Sequence, residues 1–165
     1  MISEIQHNSI QASLSAVSEI QSEWNHKVLQ PILYDLIDLG RTVKQLHWNV
    51  VGPHFHPAHL FLDEIYTTLD GATDMVAERI SATGHSPNGK VQEVAKHTTG
   101  EVVPDGFIQD SDVLLLAQHG LRHLIGAVRA RGLEIEDIDR VTSDMLHKIS
   151  FDLEKHHWML AAQRV

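Results

Sequence analysis

Residues 57–84 read PAHLFLDEIYTTLDGATDMVAERISATG, and two patterns run through them. Apolar side chains recur every three or four positions, which is the spacing of a helix with one buried face. They are Leu62, Ile65, Leu69, Ala72, Val76 and Ile80. Pro57 and Gly84 are typical of the first position of a helix and of the position just after its end. The segment therefore predicts one long amphipathic helix.

Four potential metal ligands lie along the polar face of this helix. At about 100° per residue they fall within roughly 100° of one another, away from the apolar stripe. They are His59, Asp63, Asp74 and Glu78. Ordinary solvated helices also carry faces of acidic residues and histidine. The spacing alone is therefore consistent with either a solvated surface or a metal site.

These four residues form two pairs that are far apart along the helix. His59 and Asp63 are one turn apart, as are Asp74 and Glu78. Between the pairs the helix rises roughly 16 Å, whereas metal–ligand bonds are about 2 Å long. One ion cannot bridge the pairs within a chain, so a shared site requires an antiparallel second copy of the helix. A two-fold dimer supplies that copy and forms two equivalent sites.

Helical periodicity continues through most of the chain. The remaining long helices are predicted at about 29–50, 111–131 and 136–163. Val51-Gly52-Pro53 ends the first of them, and the long connection from Gly84 to Asp110 should contain a short helix over 90–96. The pattern predicts an all-α fold, a four-helix bundle with an extra helix between the second and third long helices.

Composition limits the class of protein. Residues 29–165 suffice for one bundle domain with a core, and residues 1–28 are expected to form an N-terminal tail with a weak amphipathic segment over 10–22. A net charge of -9 argues against a basic surface that coats nucleic acid, and the absence of cysteine excludes thiolate sites. Thirteen histidines favour metal chemistry. Without a secretory signal or a membrane-spanning run, the expected location is the cytoplasm.

Residues beside the ligand pairs extend the candidate site. His47, at the end of the preceding helix, is a short turn from His59 and can join it, although a partly buried structural histidine is the alternative. Trp48 is either an electron donor beside the site or a packed interface aromatic. Arg79 either holds a ligand carboxylate in place or forms a surface ion pair beside Glu78.

Two runs of sequence resemble a known family. One is His47-Trp48-Asn49-Val50 with Gly52, Phe55, His59 and Asp63, followed by Asp74-Met75-Val76-Ala77-Glu78-Arg79. The other is Thr142-Ser143-Asp144 with Asp152-Leu153-Glu154-Lys155 and Trp158. Over about residues 29–163 the chain resembles the Dps family (DNA-binding proteins from starved cells), the mini-ferritins of the ferritin-like superfamily.

This resemblance implies a hollow homododecamer of ferritin-like subunits. It implies a ferroxidase site at the two-fold interface, with His47, His59 and Asp63 from one subunit and Asp74 and Glu78 from its neighbour. Such a site oxidises Fe(II) to Fe(III) with hydrogen peroxide or O2, and the cavity stores ferric mineral. Consuming Fe(II) and peroxide together protects against oxidative damage.

Two features depart from the family pattern. His54 and His56 add imidazoles between the expected histidine ligands, where His56 could become a further ligand and zinc could occupy the same site. A polar turn and helix cap are the alternative. Residues 1–26 contain no Lys or Arg but three Glu, so DNA binding is expected to be weak or absent. A non-catalytic zinc- or iron-binding shell and a DNA-protecting nucleoid protein are the rival functions.

Two further groups of residues carry weaker patterns. Glu134, Glu136, Asp137 and Asp139 precede the last helix, where they either line an iron entry pore at a three-fold axis or interact with the helix dipole. His119 and His123 are one turn apart on the third long helix. They either bind an accessory ion or are ordinary surface residues.

Overall fold

The computed structural model describes residues 15–163. In chain order its elements are α1 (Glu19–Asn49), β1 (Val50–Val51), α2 (Phe55–Ala82), α3 (Val91–His97), β2 (Ile108–Gln109), α4 (Asp110–Ile135) and α5 (Arg140–Ala162). The four long helices form a bundle, and α3 lies in the connection between α2 and α4. The predicted all-α bundle with a short extra helix is confirmed.

The core of the bundle forms where the apolar stripes meet. All six residues of the α2 stripe are buried, and Leu62, Ile65, Leu69, Val76 and Ile80 have no exposed surface. They pack with apolar residues of the other long helices into one cluster. Burial of this stripe turns the opposite, polar face of α2 outward, which sets the direction of the candidate ligands.

Helix α1 begins at Glu19, earlier than the predicted start near residue 29. Ser18 and Gln21 form a capping box: the Gln21 N–H donates to the Ser18 hydroxyl at 3.3 Å, and the Ser18 N–H donates to Gln21 Oε1 at 3.2 Å. Pro31 suggested a first turn but lies inside the helix. Of the amphipathic segment predicted over 10–22, residues 10–14 lie outside the described residues, and residues 19–22 belong to α1.

Helix α4 continues through Gly132 to Ile135, so the predicted end near residue 131 is wrong. Gly132 is buried where α4 approaches α5, and its carbonyl accepts a hydrogen bond from the Ser143 hydroxyl at 2.9 Å. The glycine lies inside the helix and does not end it, and a Cβ there would make only ordinary contacts with His147 and Leu146. Helix α5 then begins at Arg140, with Asp139 as its N-cap, later than the predicted start near residue 136.

A two-residue parallel bridge, absent from the predictions, joins the turn after α1 to the start of α4. Val50 pairs with Ile108, and Val51 with Gln109. Gly52 follows with a φ of 133°, and a Cβ at this position would lie 2.7 Å from Asp110 Oδ2. The turn that carries the chain from α1 into α2 is therefore pressed against α4. Among residues 15–163, no helix combines the length and apolar content needed to cross a membrane.

Replacing Gly52 with Ala should destabilise the protein, because the new Cβ meets Asp110 in a backbone conformation that favours glycine. We expect a loss of about 1–3 kcal/mol in the free energy of unfolding, measured by urea denaturation. Gly126→Ala is the matched control. It lies in α4 with no atom within 4 Å of the added Cβ, and should raise stability by up to about 1 kcal/mol. If Gly52→Ala and Gly126→Ala had equal unfolding midpoints in urea, the close approach of Gly52 to Asp110 would be contradicted.

Candidate metal centre

His47 and His59 are fixed by each other's backbone. His47 Nδ1 donates to the carbonyl of His59 at 2.8 Å, and His59 Nδ1 donates to the carbonyl of His47 at 3.0 Å. The two rings stack with centroids 3.6 Å apart. Because a carbonyl oxygen only accepts, the hydrogen of each ring lies on Nδ1, and Nε2 is left as the atom that can bind a metal. The end of α1 and the start of α2 therefore present two oriented nitrogen ligands.

Asp63 lies one turn further along α2, beside these histidines. Its Oδ1 is 3.5 Å from His47 Nδ1 and accepts a hydrogen bond from Lys44 Nζ at 2.5 Å. The hydrogen bond from Lys44 holds the pKa of Asp63 below its usual range, with His47, Lys44 and His59 adding electrostatic attraction. Asp63 is consequently an anion over the whole neutral range. We name His47, His59 and Asp63 the histidine half-site.

Lys44 was missed by the sequence analysis. It lies one turn before His47 on α1, and its ammonium is also 5.0 Å from the centre of the Tyr66 ring. The i,i+3 spacing of Lys44 and His47 places both residues on the face of α1 that contacts α2, which was a signal in the sequence that Lys44 lies near the candidate ligands. A lysine among expected metal ligands is easily set aside, since its charge repels a metal ion.

Asp74 and Glu78 lie near the other end of α2, where we name them the carboxylate half-site. Both side chains are exposed, and no hydrogen bond or ion pair within residues 15–163 engages either carboxylate. Within that part of one chain, no three His, Asp or Glu side chains are arranged to hold a metal ion. One chain therefore presents two partial sets of ligands, separated along α2 by the rise of the helix.

Exposed apolar side chains surround the histidine half-site. Trp48 follows His47, and Phe55 lies with its ring centre 5.1 Å from that of His59. Leu60, the residue after His59, is also exposed. Three large apolar residues beside polar ligands form a surface suited to contact with another protein chain.

Arg79 does not hold the adjacent Glu78 carboxylate. Its Nη2 donates to Asp139 Oδ2 at 2.7 Å, and its Nε donates to the Thr142 hydroxyl at 2.9 Å. Burial tends to raise the pKa of Asp139, but hydrogen bonds from Asn25, Arg79 and Thr142 outweigh it and lower that pKa. The guanidinium therefore joins α2 to the start of α5, and neither of the predicted roles describes it.

His54 and His56 are not brought to the histidine half-site. The His54 N–H donates to Asp110 Oδ2 at 2.6 Å, and its Nδ1 lies 3.5 Å from the same oxygen. His54 thus anchors the turn before α2 to the start of α4. The His56 side chain is exposed, and within residues 15–163 no hydrogen bond, ion pair or ring contact joins it to His47 or His59.

The acidic residues expected at a pore have partners within the subunit. Glu134 pairs with Arg131 at 2.6 Å and Lys27 at 3.4 Å, and the hydrogen bond from Arg131 lowers its pKa. Glu136 lies 3.8 Å from Arg140. Asp139 is 5% exposed and caps α5, so it is not available to line a pore. Asp137 remains exposed.

Both histidines of the α4 pair are exposed, and His123 Nε2 lies 2.8 Å from the Thr99 hydroxyl in the segment after α3. The His123 contact connects the loop to α4. It supports the surface reading over an accessory ion site.

Comparison with known proteins places the chain in a family. The ferritin-like domain family matches residues 27–165. The DNA protection during starvation protein of Mycolicibacterium smegmatis is 35% identical over 138 residues, which are 82% of this chain and 74% of that protein. The chain belongs to the Dps branch of the ferritin-like family. The corresponding Dps of Agrobacterium fabrum is 33% identical over 141 residues, 82% of this chain and 84% of that protein.

Solved Dps structures share the fold. The tetragonal form of Mycobacterium smegmatis Dps superposes with a TM-score of 0.85 at 30% identity and covers 90% of each chain. Dps from Microbacterium arborescens in a high iron form gives a TM-score of 0.85 at 26% identity, over 89% of this chain and 96% of that chain. The resemblance noted in the sequence is thus confirmed at the level of the family and the fold.

Lys44→Met should remove a pH-dependent part of the stability. The lysine lowers the pKa of Asp63, so the ion pair stabilises the fold above the unfolded-state pKa of about 3.9, and this is lost as pH falls through the lower folded pKa. Because the Asp63 side chain is 45% exposed, the effect at pH 7 should be at most about 1 kcal/mol. Thermal melts of wild type and variant should differ at pH 7, and the difference should shrink as pH falls through the lowered folded pKa of Asp63.

Lys148→Met is the control for losing a lysine, since it breaks an exposed pair with Asp152 within α5. A difference between wild type and Lys44→Met that persists unchanged as pH falls would contradict the coupling of Lys44 to Asp63.

Proposed function

We propose that the chain forms a ferroxidase and iron-storage cage. Membership of the Dps branch supports iron handling, and the observation that carries the proposal is the pair of half-sites on α2. Its outward polar face holds His59 and Asp63 at one end and Asp74 and Glu78 at the other. An antiparallel neighbour brings the carboxylate half-site of one subunit opposite the histidine half-site of the other. Each two-fold contact then contains two sites.

The combined ligand set suits iron as a substrate. Imidazole nitrogen binds Fe(II) well, and carboxylate oxygen favours Fe(III), so five mixed ligands accept both oxidation states. The mutual hydrogen bonds of His47 and His59 hold Nε2 in place, and Lys44 keeps the Asp63 carboxylate charged. These residues bind and orient the metal before any oxidant arrives.

Hydrogen peroxide is the proposed oxidant, with O2 as the alternative. Two Fe(II) ions reduce one peroxide, and two protons are taken up to form two waters and two Fe(III) ions. This stoichiometry consumes both reagents of hydroxyl-radical chemistry. Storage of the ferric product in a closed homododecamer then completes protection against oxidative damage.

The surface around the histidine half-site supports assembly through the two-fold contact. Trp48, Phe55 and Leu60 are exposed in the single chain beside ligands that need a neighbour. We propose that the neighbouring subunit covers them, and that Trp48 lies beside the assembled site. An entry route along a three-fold axis would depend on Asp137 and the ion-paired Glu134 and Glu136.

Iron remains the proposed metal in preference to zinc. The case for zinc depended on extra ligands from His54 and His56, but His54 contacts Asp110 and His56 contacts neither histidine ligand. A non-catalytic zinc shell therefore has no observation in its favour. The relatives are named for DNA protection, which agrees with removal of iron and peroxide as well as with direct binding.

Subunit mixing tests the shared site. His59→Ala and Glu78→Ala subunits should each oxidise Fe(II) no faster than buffer. Refolded together in equal amounts, half of their two-fold pairs are mixed, and each mixed pair contains one intact site and one doubly altered site. About a quarter of wild-type activity should return, followed as ferric absorbance after anaerobic Fe(II) loading and addition of peroxide or O2.

A mixture of His47→Ala and His59→Ala subunits is the matched control, because both changes affect the histidine half-site and no mixed pair regains a complete site. Equal recovery in the two mixtures would contradict a site shared between subunits. Wild-type oxidation no faster than buffer would contradict the ferroxidase function itself.

Direct DNA binding should be weak or absent at neutral pH. Residues 1–26 contain no Lys or Arg, and the chain has a formal net charge of -9, so few cations are available to neutralise phosphates. In a gel mobility shift at low salt, DNA should migrate freely with stoichiometric protein. A variant with four lysines added at the N-terminus should retard it. Retardation by the wild-type protein would contradict this prediction.

A further inference from the structure

The Asp139 carboxylate connects three helices. Its Oδ2 accepts hydrogen bonds from Asn25 Nδ2 of α1 at 2.7 Å, from Arg79 Nη2 of α2 at 2.7 Å and from the Thr142 hydroxyl of α5 at 2.9 Å. Its Oδ1 accepts from the N–H groups of Val141 and Thr142. One buried carboxylate therefore both caps α5 and holds the last turn of α2.

Helices α2 and α5 are separated along much of their length. A groove of about 360 Å3 lies between them, lined by Thr67, Gly71 and Met75 from α2 and by Asp152 and Lys155 from α5, among others. Polar contacts join the two helices: the Thr68 hydroxyl lies 2.8 Å from His156 Nε2, and Arg79 donates to Thr142 and to the N-cap residue Asp139. On α2, Asp74 and Glu78 lie between Thr68 and Arg79, the two residues that make these contacts.

Arg79 follows Glu78 in the chain, so the two side chains point about 100° apart around α2. While Arg79 is held by Asp139 and Thr142, the rotation of the last turns of α2 is fixed, and with it the direction of Glu78 and Asp74. Near Gly71, where the groove opens, no atom lies within 4 Å of the glycine's Cβ position. The buried side chains of Val76 and Ile80 set which face of α2 turns outward, and the hydrogen bonds of Arg79 add a polar anchor beside Glu78.

We propose that Asp139, acting through Arg79, is a positioning residue for the carboxylate half-site, an inference that rests on the proposed function. Loss of the contact should leave the histidine half-site intact, because His47 and His59 are held by their own backbone bonds. Metal affinity should fall because Asp74 and Glu78 no longer arrive in a fixed direction. Residues that orient metal ligands typically contribute 10–100-fold to affinity.

Asp139→Ser separates the two roles of the residue, since serine still caps a helix but does not reach Arg79 and Asn25. Zn(II) serves as a probe that binds without oxidation, and its affinity is measured by calorimetry in Asp139→Ser, Arg79→Gln and the double variant. Fe(II) oxidation is measured in parallel. The control is Arg129→Gln, which removes a 2.8 Å ion pair with Glu154 between α4 and α5 but leaves α2 unchanged.

We expect 10–100-fold weaker Zn(II) binding in Asp139→Ser and Arg79→Gln, and wild-type binding in Arg129→Gln. The double variant should be no weaker than the more affected single variant, because both changes break one contact. The Fe(II) concentration at half-maximal rate should rise, while the rate at saturation changes little. If Asp139→Ser or Arg79→Gln fails to fold, the Zn(II) affinity of the double variant tests the positioning role, since that variant leaves no buried unpaired charge.

Wild-type Zn(II) affinity in folded Asp139→Ser and Arg79→Gln would overturn the positioning role, as would equal loss in Arg129→Gln or additive losses in the double variant. Glu78→Ala distinguishes this failure from that of the proposed function. If wild type binds Zn(II) no more tightly than Glu78→Ala, Glu78 is not a ligand and both proposals fall. If Glu78→Ala binds weakly and Asp139→Ser binds normally, only the positioning role falls.

Discussion

The rigid rise of α2 is the constraint on which the candidate site depends. A continuous helix holds Asp63 and Asp74 roughly 16 Å apart, far beyond the reach of one metal ion. Burial of the apolar stripe from Leu62 to Ile80 points both half-sites outward. A single chain therefore cannot close the site by folding more tightly. Under the proposed function, a site shared by both half-sites requires a second subunit, so catalysis and assembly would be linked through the geometry of one helix.

The two half-sites are prepared in different ways. His47 and His59 are fixed by reciprocal bonds to backbone carbonyls, which depend only on the packing of α1 against α2. Asp74 and Glu78 have no such partners and depend on how α2 as a whole is held. The histidine ligands are therefore oriented within each subunit, whereas the carboxylates that complete the proposed site come from the neighbouring subunit. Under the proposed positioning role, the contact between Arg79 and Asp139 adds an anchor for this second half-site.

Periodicity and helix-stop residues predicted much of this fold. The stripe of α2, the end before Gly84 and the short helix in the long connection are all properties of local sequence. The helix boundaries were predicted wrongly at residue types that occur both at helix ends and inside helices. Pro31 suggested a helix start but lies within α1, and Gly132 suggested a helix end but lies within α4, where its carbonyl accepts a hydrogen bond from Ser143. Local sequence does not record which neighbour a glycine will face.

The candidate site stays a prediction, and it is limited by the same property of local sequence. Spacing on one helix identified His59, Asp63, Asp74 and Glu78 and required a second copy. It could not reveal that Lys44 binds Asp63 or that Arg79 turns towards Asp139, because these partners lie on other helices. The helix-dipole alternative for the acidic run before α5 agrees with Asp139 as the N-cap, but local sequence did not indicate that its carboxylate would be buried.

Charge balance explains why a lysine belongs among metal ligands here. Under the proposed pairing, each site gathers Asp63 from one subunit with Asp74 and Glu78 from the other, in a chain whose formal net charge is already -9. Three carboxylates brought together oppose association. Lys44, 2.5 Å from Asp63, offsets one of those charges before iron binds. A divalent cation then competes with the ammonium for the same oxygen and offsets two of the three carboxylate charges, so binding of the substrate strengthens the contact that forms its site.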